Sequence, residues 1–267
     1  MTRTYRIGLI GLGAIGRDLL ERIGTGTLGP IEAAAVLVRR PRPDSGVPGL
    51  THDPDRFFAA GFDAVVEGAG HQAVRDHGER ALRAGADLLL TSVGALTDDA
   101  LFARLQQAAS DSGRRLILPS AGIGALDILA AGAVGGLDRV TVTVRKDPLS
   151  WKGTIAERQV DLDGLTAPFV LHDGPVREGA RAYPQNVNIS AAAALAGIGL
   201  DRTRLVIVAD PGITVHVVEI EAEGHFGRFT FREEIIPTDD NPKTGRLVAM
   251  AVAKTVRQLA SPLVIGA

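Results

Sequence analysis

The chain has 267 residues and a formal net charge of −2, with 45% hydrophobic and 22% charged residues. That is an ordinary globular composition, sufficient for one large or two modest domains around a well-buried core. The overall charge balance gives no reason to expect a nucleic-acid partner. The absence of cysteine excludes disulfides, thiolate zinc sites and a cysteine nucleophile, and accords with a reducing cytoplasm. Arg3 and Arg6 precede an apolar stretch as in a secretory leader, but the stretch is glycine-rich, runs into Arg17-Asp18 and lacks a small-residue cleavage site. No apolar run is long enough to span a membrane. The expectation is a cytoplasmic protein with no membrane partner.

The first predicted strand, Tyr5 to Ile10, leads straight into Gly11-x-Gly13-x-x-Gly16, and a helical pattern follows through Arg22. Strand, glycines and helix in that order are what a dinucleotide pyrophosphate site requires. Gly11 permits the tight turn, Gly13 lets the backbone approach the phosphates, and Gly16 lets the helix pack close to the strand. Ala14, Ile15 and Gly16 then present helix N-terminal N–H groups to the diphosphate. A second strand is predicted over Ala33 to Val38. Its end carries Arg39-Arg40 where an NAD-specific site would place an acidic residue. Arg39 suits a 2′-phosphate, so both NAD and NADP are expected to bind.

Further strands are predicted at Ala64 to Val66, Asp87 to Thr91 and Arg115 to Leu118, alternating with helices at Ala73 to Ala84 and Asp98 to Ser112. Thr97-Asp98 forms a cap for the second of these helices. This alternation indicates a Rossmann-type, doubly wound parallel sheet over residues 1–120. Glu67-Gly68-Ala69-Gly70-His71 and Ser92-Val93-Gly94 fall at carboxyl ends of its strands, where ligands of such sheets collect. Ala69, Gly70, Ser92 and Val93 are therefore candidate cofactor contacts. His71 either touches substrate or caps the helix that follows it.

After Pro119 the pattern changes. A helix is predicted over Ala125 to Val134, a strand over Arg139 to Lys146 and an alanine-rich helix over 190–198. Alternating strands follow at Arg204 to Val208, Thr214 to Glu221 and Phe226 to Glu233. Residues 121–240 thus read as an α+β domain with a mixed or antiparallel sheet. The remainder, 241–267, centres on a helix over Thr244 to Leu259, available to pack back on the first domain. His216 shares a strand face with Val218 and Ile220, a face expected to abut another layer. Candidate cations for an acidic substrate are Arg145, Lys146, Lys152 and Lys243. The six histidines show no metal-ligand spacing, so no metal is expected.

Taken in order, Gly11 to Gly16, Glu67 to His71, Ser92 to Leu96, Pro119-Ser120-Ala121-Gly122, Arg145-Lys146, Trp151 to Thr154, Pro184 to Asn188, Asp210-Pro211 with His216, and Asn241 to Thr244 resemble the L-aspartate dehydrogenase family over nearly the whole chain. The resemblance implies a Rossmann domain joined to an α+β catalytic domain, commonly in a homodimer. It implies NAD(P)-dependent oxidation of L-aspartate to iminosuccinate, which hydrolyses to oxaloacetate and ammonia or feeds de novo NAD biosynthesis. It also makes Ala121 and Asn186 cofactor contacts and His216 the catalytic histidine. Asn188 and Lys243, with His71, remain as candidate substrate contacts. One departure is Gly68, where the family pattern leads us to expect cysteine. Two rival readings keep the architecture. One is an oxidoreductase of the homoserine dehydrogenase or dihydrodipicolinate reductase type, the latter disfavoured by the lack of paired histidines beside a lysine. The other is a catalytically silent dinucleotide sensor.

Overall fold

The structure is a computed structural model that describes residues 3–41, 46–47, 49–120, 123–184, 186–238 and 241–266, the side chains of 237, 238 and 241–244 excepted. The chain divides into two compact units, Met1–Ala121 with Ala249–Ala267, and Gly122–Val248.

The first unit begins with β1 (Tyr5–Ile10), α1 (Ala14–Gly24), β2 (Ile31–Leu37), β3 (Leu50–Thr51), α2 (Pro54–Ala59) and β4 (Ala64–Glu67). It continues with α3 (His71–Arg83), β5 (Asp87–Leu90), α4 (Asp99–Ser112) and β6 (Leu116–Ile117). All six strands are parallel, in the order β3-β2-β1-β4-β5-β6. The strands β4 and β5 are buried throughout, as expected when both faces of a parallel sheet are covered. The order reverses beside β1, which places the switch point between β1 and β4, where doubly wound sheets bind their ligands. Asp98 caps α4 by accepting from the Leu101 N–H, and Gly113 closes that helix at φ +62°. Two short elements that the sequence pattern did not suggest, β3 and α2, lie in this unit. The α2 helix has Asp53 as its cap and Pro54 at its first position, a combination suited to starting a helix.

The second unit holds α5 (Leu126–Gly135), β7 (Leu137–Lys146), β8 (Phe169–Pro175), α6 (Val176–Ala182), α7 (Asn188–Ala196), β9 (Arg204–Ala209), β10 (His216–Gly224) and β11 (Gly227–Ile235). Its sheet runs β11-β10-β7-β9-β8, mixed, with only β7 and β9 parallel. The elements β8 and α6 were not foreseen. A two-stranded ribbon, β12 (Pro237–Thr238) with β13 (Asn241–Gly245), follows before α8 (Leu247–Leu259). The predicted start of the last helix at Thr244 is thereby corrected. Asn241 to Gly245 pair as a strand, and the helix begins three residues later than expected.

Helix α8 completes the first unit. Val252, Ala253 and Val256, none more than 3% exposed, join one apolar cluster with Leu9, Leu19, Val36 and Val66. In the second unit, α5 and α7 pack against each other and against β10 and β7, respectively. Gly124 is tight against the Phe231 ring, and Gly197 meets Val140. The face carrying Val140, Val142, Val144, Val218 and Ile220 is therefore roofed by helices of its own unit.

Candidate active site

In the first unit the glycine turn has three distinct steric environments. Gly11 sits at φ +104°, and a Cβ on it would lie 2.9 Å from the Gly68 carbonyl oxygen. A Cβ on Gly16 would lie 2.5 Å from the Gly11 carbonyl oxygen, so only hydrogen lets α1 approach β1 this closely. A Cβ on Gly13 would meet nothing within 4 Å among the described residues. Gly13 is also the cap residue of α1, and with no side chain of its own it leaves the N–H groups of that first turn, those of Ala14, Ile15 and Gly16, without a side-chain cap among the described residues. Open space over Gly13 and uncapped donors at a helix N-terminus fit a pyrophosphate. Arg39 is exposed just beyond β2.

Beside this turn, Glu67 ends β4 at 1% exposure. Its Oε1 accepts from the Ala69 N–H (2.7 Å), the Gly70 N–H (2.8 Å) and the Ser92 hydroxyl (3.0 Å), and its Oε2 from the Ser92 N–H (3.1 Å). Burial pushes this carboxyl above its ordinary pKa, while the four hydrogen bonds pull the other way. Ala69 and Gly70 thus spend their N–H groups internally, which the sequence could not show. Gly70, at φ +109°, is the cap residue of α3 and His71 its first helical residue. The alternative in which His71 caps that helix is corrected accordingly. Val93 opens a 3₁₀ turn (Val93–Thr97) and is 2% exposed. Ala121 lies outside the described residues.

In the second unit the register sets Val217 opposite Arg145, and hence His216 opposite Lys146 at the paired ends of β10 and β7. Both are 4% exposed. Lys146 Nζ donates to Asn186 Oδ1 at 2.9 Å and lies 5.6 Å from the centre of the Trp151 ring. An ammonium has no acceptor to offer, so the Asn186 oxygen must face it and the amide nitrogen must point away. That nitrogen, Nδ2, is buried with no hydrogen-bond partner among the described residues. Asn186 also walls a cleft of about 490 Å³ that Thr154, Glu157, Arg158, Tyr183 and Pro184 help to line. Asn188 is the first residue of α7.

The other candidate cations fare differently. Arg145 Nη1 pairs with Asp210 Oδ2 at 3.0 Å, and Asp210 Oδ1 accepts from the Gly212 N–H, fixing the turn after β9. Lys152 pairs with Asp163 at 2.6 Å on the surface. Lys243 belongs to β13, not to a helix start, and its side chain lies outside the described residues. Among the described residues there is no cluster of three or more His, Asp or Glu suited to a metal, and no helix is long and apolar enough to cross a membrane.

Two features of the second unit escaped sequence reasoning. Glu233 shares the helix-roofed face, pairing with Val218 two residues along from the His216–Ile235 pair. Its Oε1 is buried without a partner among the described residues, and burial pushes its pKa up to about 7. The cleft beside Asn186 is the other, because its walls come from segments that read as loops.

Comparison with known proteins agrees with this geometry. Residues 11–119 match the family model described as homoserine dehydrogenase, NAD binding domain, and residues 127–259 match that described as aspartate dehydrogenase, C-terminal. An L-aspartate dehydrogenase of Ruegeria pomeroyi is 41% identical, covering 95% of this chain and 92% of its own. One from Methanococcoides burtonii is 35% identical, over 98% of this chain and 99% of its own. The crystal structure of aspartate dehydrogenase from Thermotoga maritima superposes with a TM-score of 0.77 at 24% identity, covering 98% of this chain and all of that one, which shows the shared fold. Near-complete alignment at such identity places the chain in the L-aspartate dehydrogenase family.

Proposed function

We propose that the protein oxidises L-aspartate at Cα to iminosuccinate, with NAD or NADP as the acceptor, and that water then converts the imine to oxaloacetate and ammonia. The nicotinamide nucleotide, when bound, accepts the hydride from Cα. The first unit holds it through the Gly11–Gly16 turn and the N–H groups at the start of α1. Backbone groups around Ala69, Gly70, Ser92 and Val93, together with Ala121, are assigned to the same task, and Arg39 to the adenosine ribose or its phosphate.

The chemistry on the substrate falls to the second unit. An ammonium cannot release a hydride from its carbon until it has lost a proton. His216 is assigned as the base, imidazole being the side chain whose ordinary range brackets neutrality. Once the imidazolium has released that proton to solvent, the neutral ring can accept a proton from the water that attacks the imine carbon. Lys146, opposite His216 in the strand register, holds Asn186. The ammonium holds the amide oxygen, which leaves the buried Nδ2 as the donor assigned to a carboxylate or to the nicotinamide carboxamide. Lys243, Asn188 and His71 are proposed as further substrate contacts. The protein is read as a cytoplasmic homodimer acting on a small diacid, the reading its composition and family support.

The observation that carries this reading is the buried His216 set opposite a buried Lys146 that orients Asn186. The test is an initial-rate assay with L-aspartate and either nucleotide, run in reverse with oxaloacetate and ammonia. H216A should lower turnover by roughly 10²–10⁴-fold, the worth of a positioned acid–base group, while nucleotide affinity holds. Activity surviving that change within a few-fold refutes the base assignment. Turnover of homoserine or dihydrodipicolinate in preference to aspartate refutes the substrate. Nucleotide binding without turnover on any of them supports the silent sensor instead.

A further inference from the structure

Glu67 has no part in the reaction as proposed, yet it is the most heavily bonded buried carboxylate described in the first unit. All four of its donors are neutral: two backbone N–H groups of its own turn, and the N–H and hydroxyl of Ser92, 25 residues away. Its carbonyl oxygen accepts from Thr91 as well, from the hydroxyl at 2.9 Å and the N–H at 3.2 Å. One residue therefore joins the end of β4 to the end of β5. A glutamine of the same shape could not replace it, because a single amide oxygen cannot serve donors arriving at both carboxylate oxygens, and the amide NH₂ would confront the Ser92 N–H.

The turn so held is the surface on which the glycine turn rests. Gly68 donates its N–H to the Ile10 carbonyl at 2.9 Å, and a Cβ on it would lie 3.8 Å from the Ile15 Cβ. A Cβ on Gly11 would lie 2.9 Å from the Gly68 carbonyl oxygen and 3.0 Å from the Ala69 Cβ. Moving residues 68–70 therefore moves the seat of Gly11 and the start of α1.

We propose that Glu67 is a positioning residue of the nucleotide site, locking the turns after β4 and β5 into one body against which the glycine turn is set. The proposal rests on the reading of the glycine turn as the nucleotide cradle. It predicts a defect confined to the nucleotide side of the reaction.

The test titrates wild type and E67Q with NAD⁺ and NADH, follows amide hydrogen exchange of the ligand-free proteins, and splits the steady-state constants. In E67Q the amides of Ala69, Gly70 and Ser92 should exchange faster. Nucleotide Kd and KM should rise about tenfold or more, as loss of a charge-assisted bond allows. The KM for L-aspartate at saturating nucleotide should stay put. Wild-type nucleotide affinity in E67Q, or a weakening shared equally by aspartate, overturns the proposal while leaving the cradle standing. A wild-type protein that binds neither nucleotide overturns both. Should E67Q fail to fold, S92A removes only the hydroxyl donor, and unchanged nucleotide affinity and unchanged exchange at residues 69 and 70 in that variant are the refuting result.

Discussion

Replacing Gly13 by alanine separates binding from folding. Its backbone, at φ −85° and ψ −161°, is one that alanine adopts without strain, and the added methyl meets no atom of the described residues within 4 Å. Alanine is a poorer cap than glycine, a loss of up to about 1 kcal/mol. It also restricts the unfolded chain, a gain of about 0.4–1 kcal/mol. The two nearly cancel, so the ligand-free stability of G13A should stay within about 0.5 kcal/mol of wild type in a denaturant or thermal melt. The methyl does, however, stand where the diphosphate must approach. Overfilling a tight contact costs roughly 1–3 kcal/mol, equivalent to a Kd for NAD⁺ or NADP⁺ about 5- to 150-fold weaker by calorimetric titration. G16A is the contrast, since its methyl would press on the Gly11 carbonyl at 2.5 Å. That variant should lose stability even without nucleotide. If G13A binds nucleotide as well as wild type, the cradle is not where we place it. If it melts like G16A, the steric reasoning is wrong.

Glu233 should make stability fall with rising pH. Its folded pKa of about 7 lies above the ordinary 4.5, so the folded state keeps a proton that the unfolded chain sheds between those values. E233Q should therefore stabilise the protein by about 1 kcal/mol at pH 8, after allowance for solvent screening, and hardly at all near pH 4.5. Equal shifts at both pH values in denaturant melts would contradict this. R39A should weaken NADP⁺ about five- to tenfold more than NAD⁺, the worth of a partly exposed charge-assisted pair. An equal loss for both nucleotides would remove Arg39 from the 2′-phosphate.

Much of the first unit was legible because its evidence is local. The glycine turn needs only the strand before it and the helix after it, and β1 was predicted with the bounds observed. Fully buried β4 and β5 announce themselves as short apolar runs. The strand β8 did not, because Phe-Val-Leu-His-Asp-Gly-Pro mixes turn residues with a half-exposed edge, where pairing with β9 supplies what propensity lacks. Asn241 to Gly245 was misread for a related reason: its partner, Pro237–Thr238, is too short to signal a hairpin. The candidate site shows the same divide. His216 could be named from sequence through its resemblance, and Asn186 with it. That Lys146, 40 residues from Asn186, is the group holding that amide follows only from the sheet register and the fold of the intervening segment. The Glu67 bonds were hidden more thoroughly, since three of the four donors are backbone N–H groups, which every residue but proline carries.

The return of α8 to the first unit has a consequence for how the protein is made. The half that reads as nucleotide-binding emerges first from the ribosome, but Leu9, Leu19 and Val66 lack their cover until Val252, Ala253 and Val256 arrive. The second unit, whose bounds Gly122–Val248 are continuous, can close while its predecessor still waits with an open flank. Synthesis order and order of completion are thus inverted, and a chain stopped short of its final helix would expose an oily seam in the very part translated earliest.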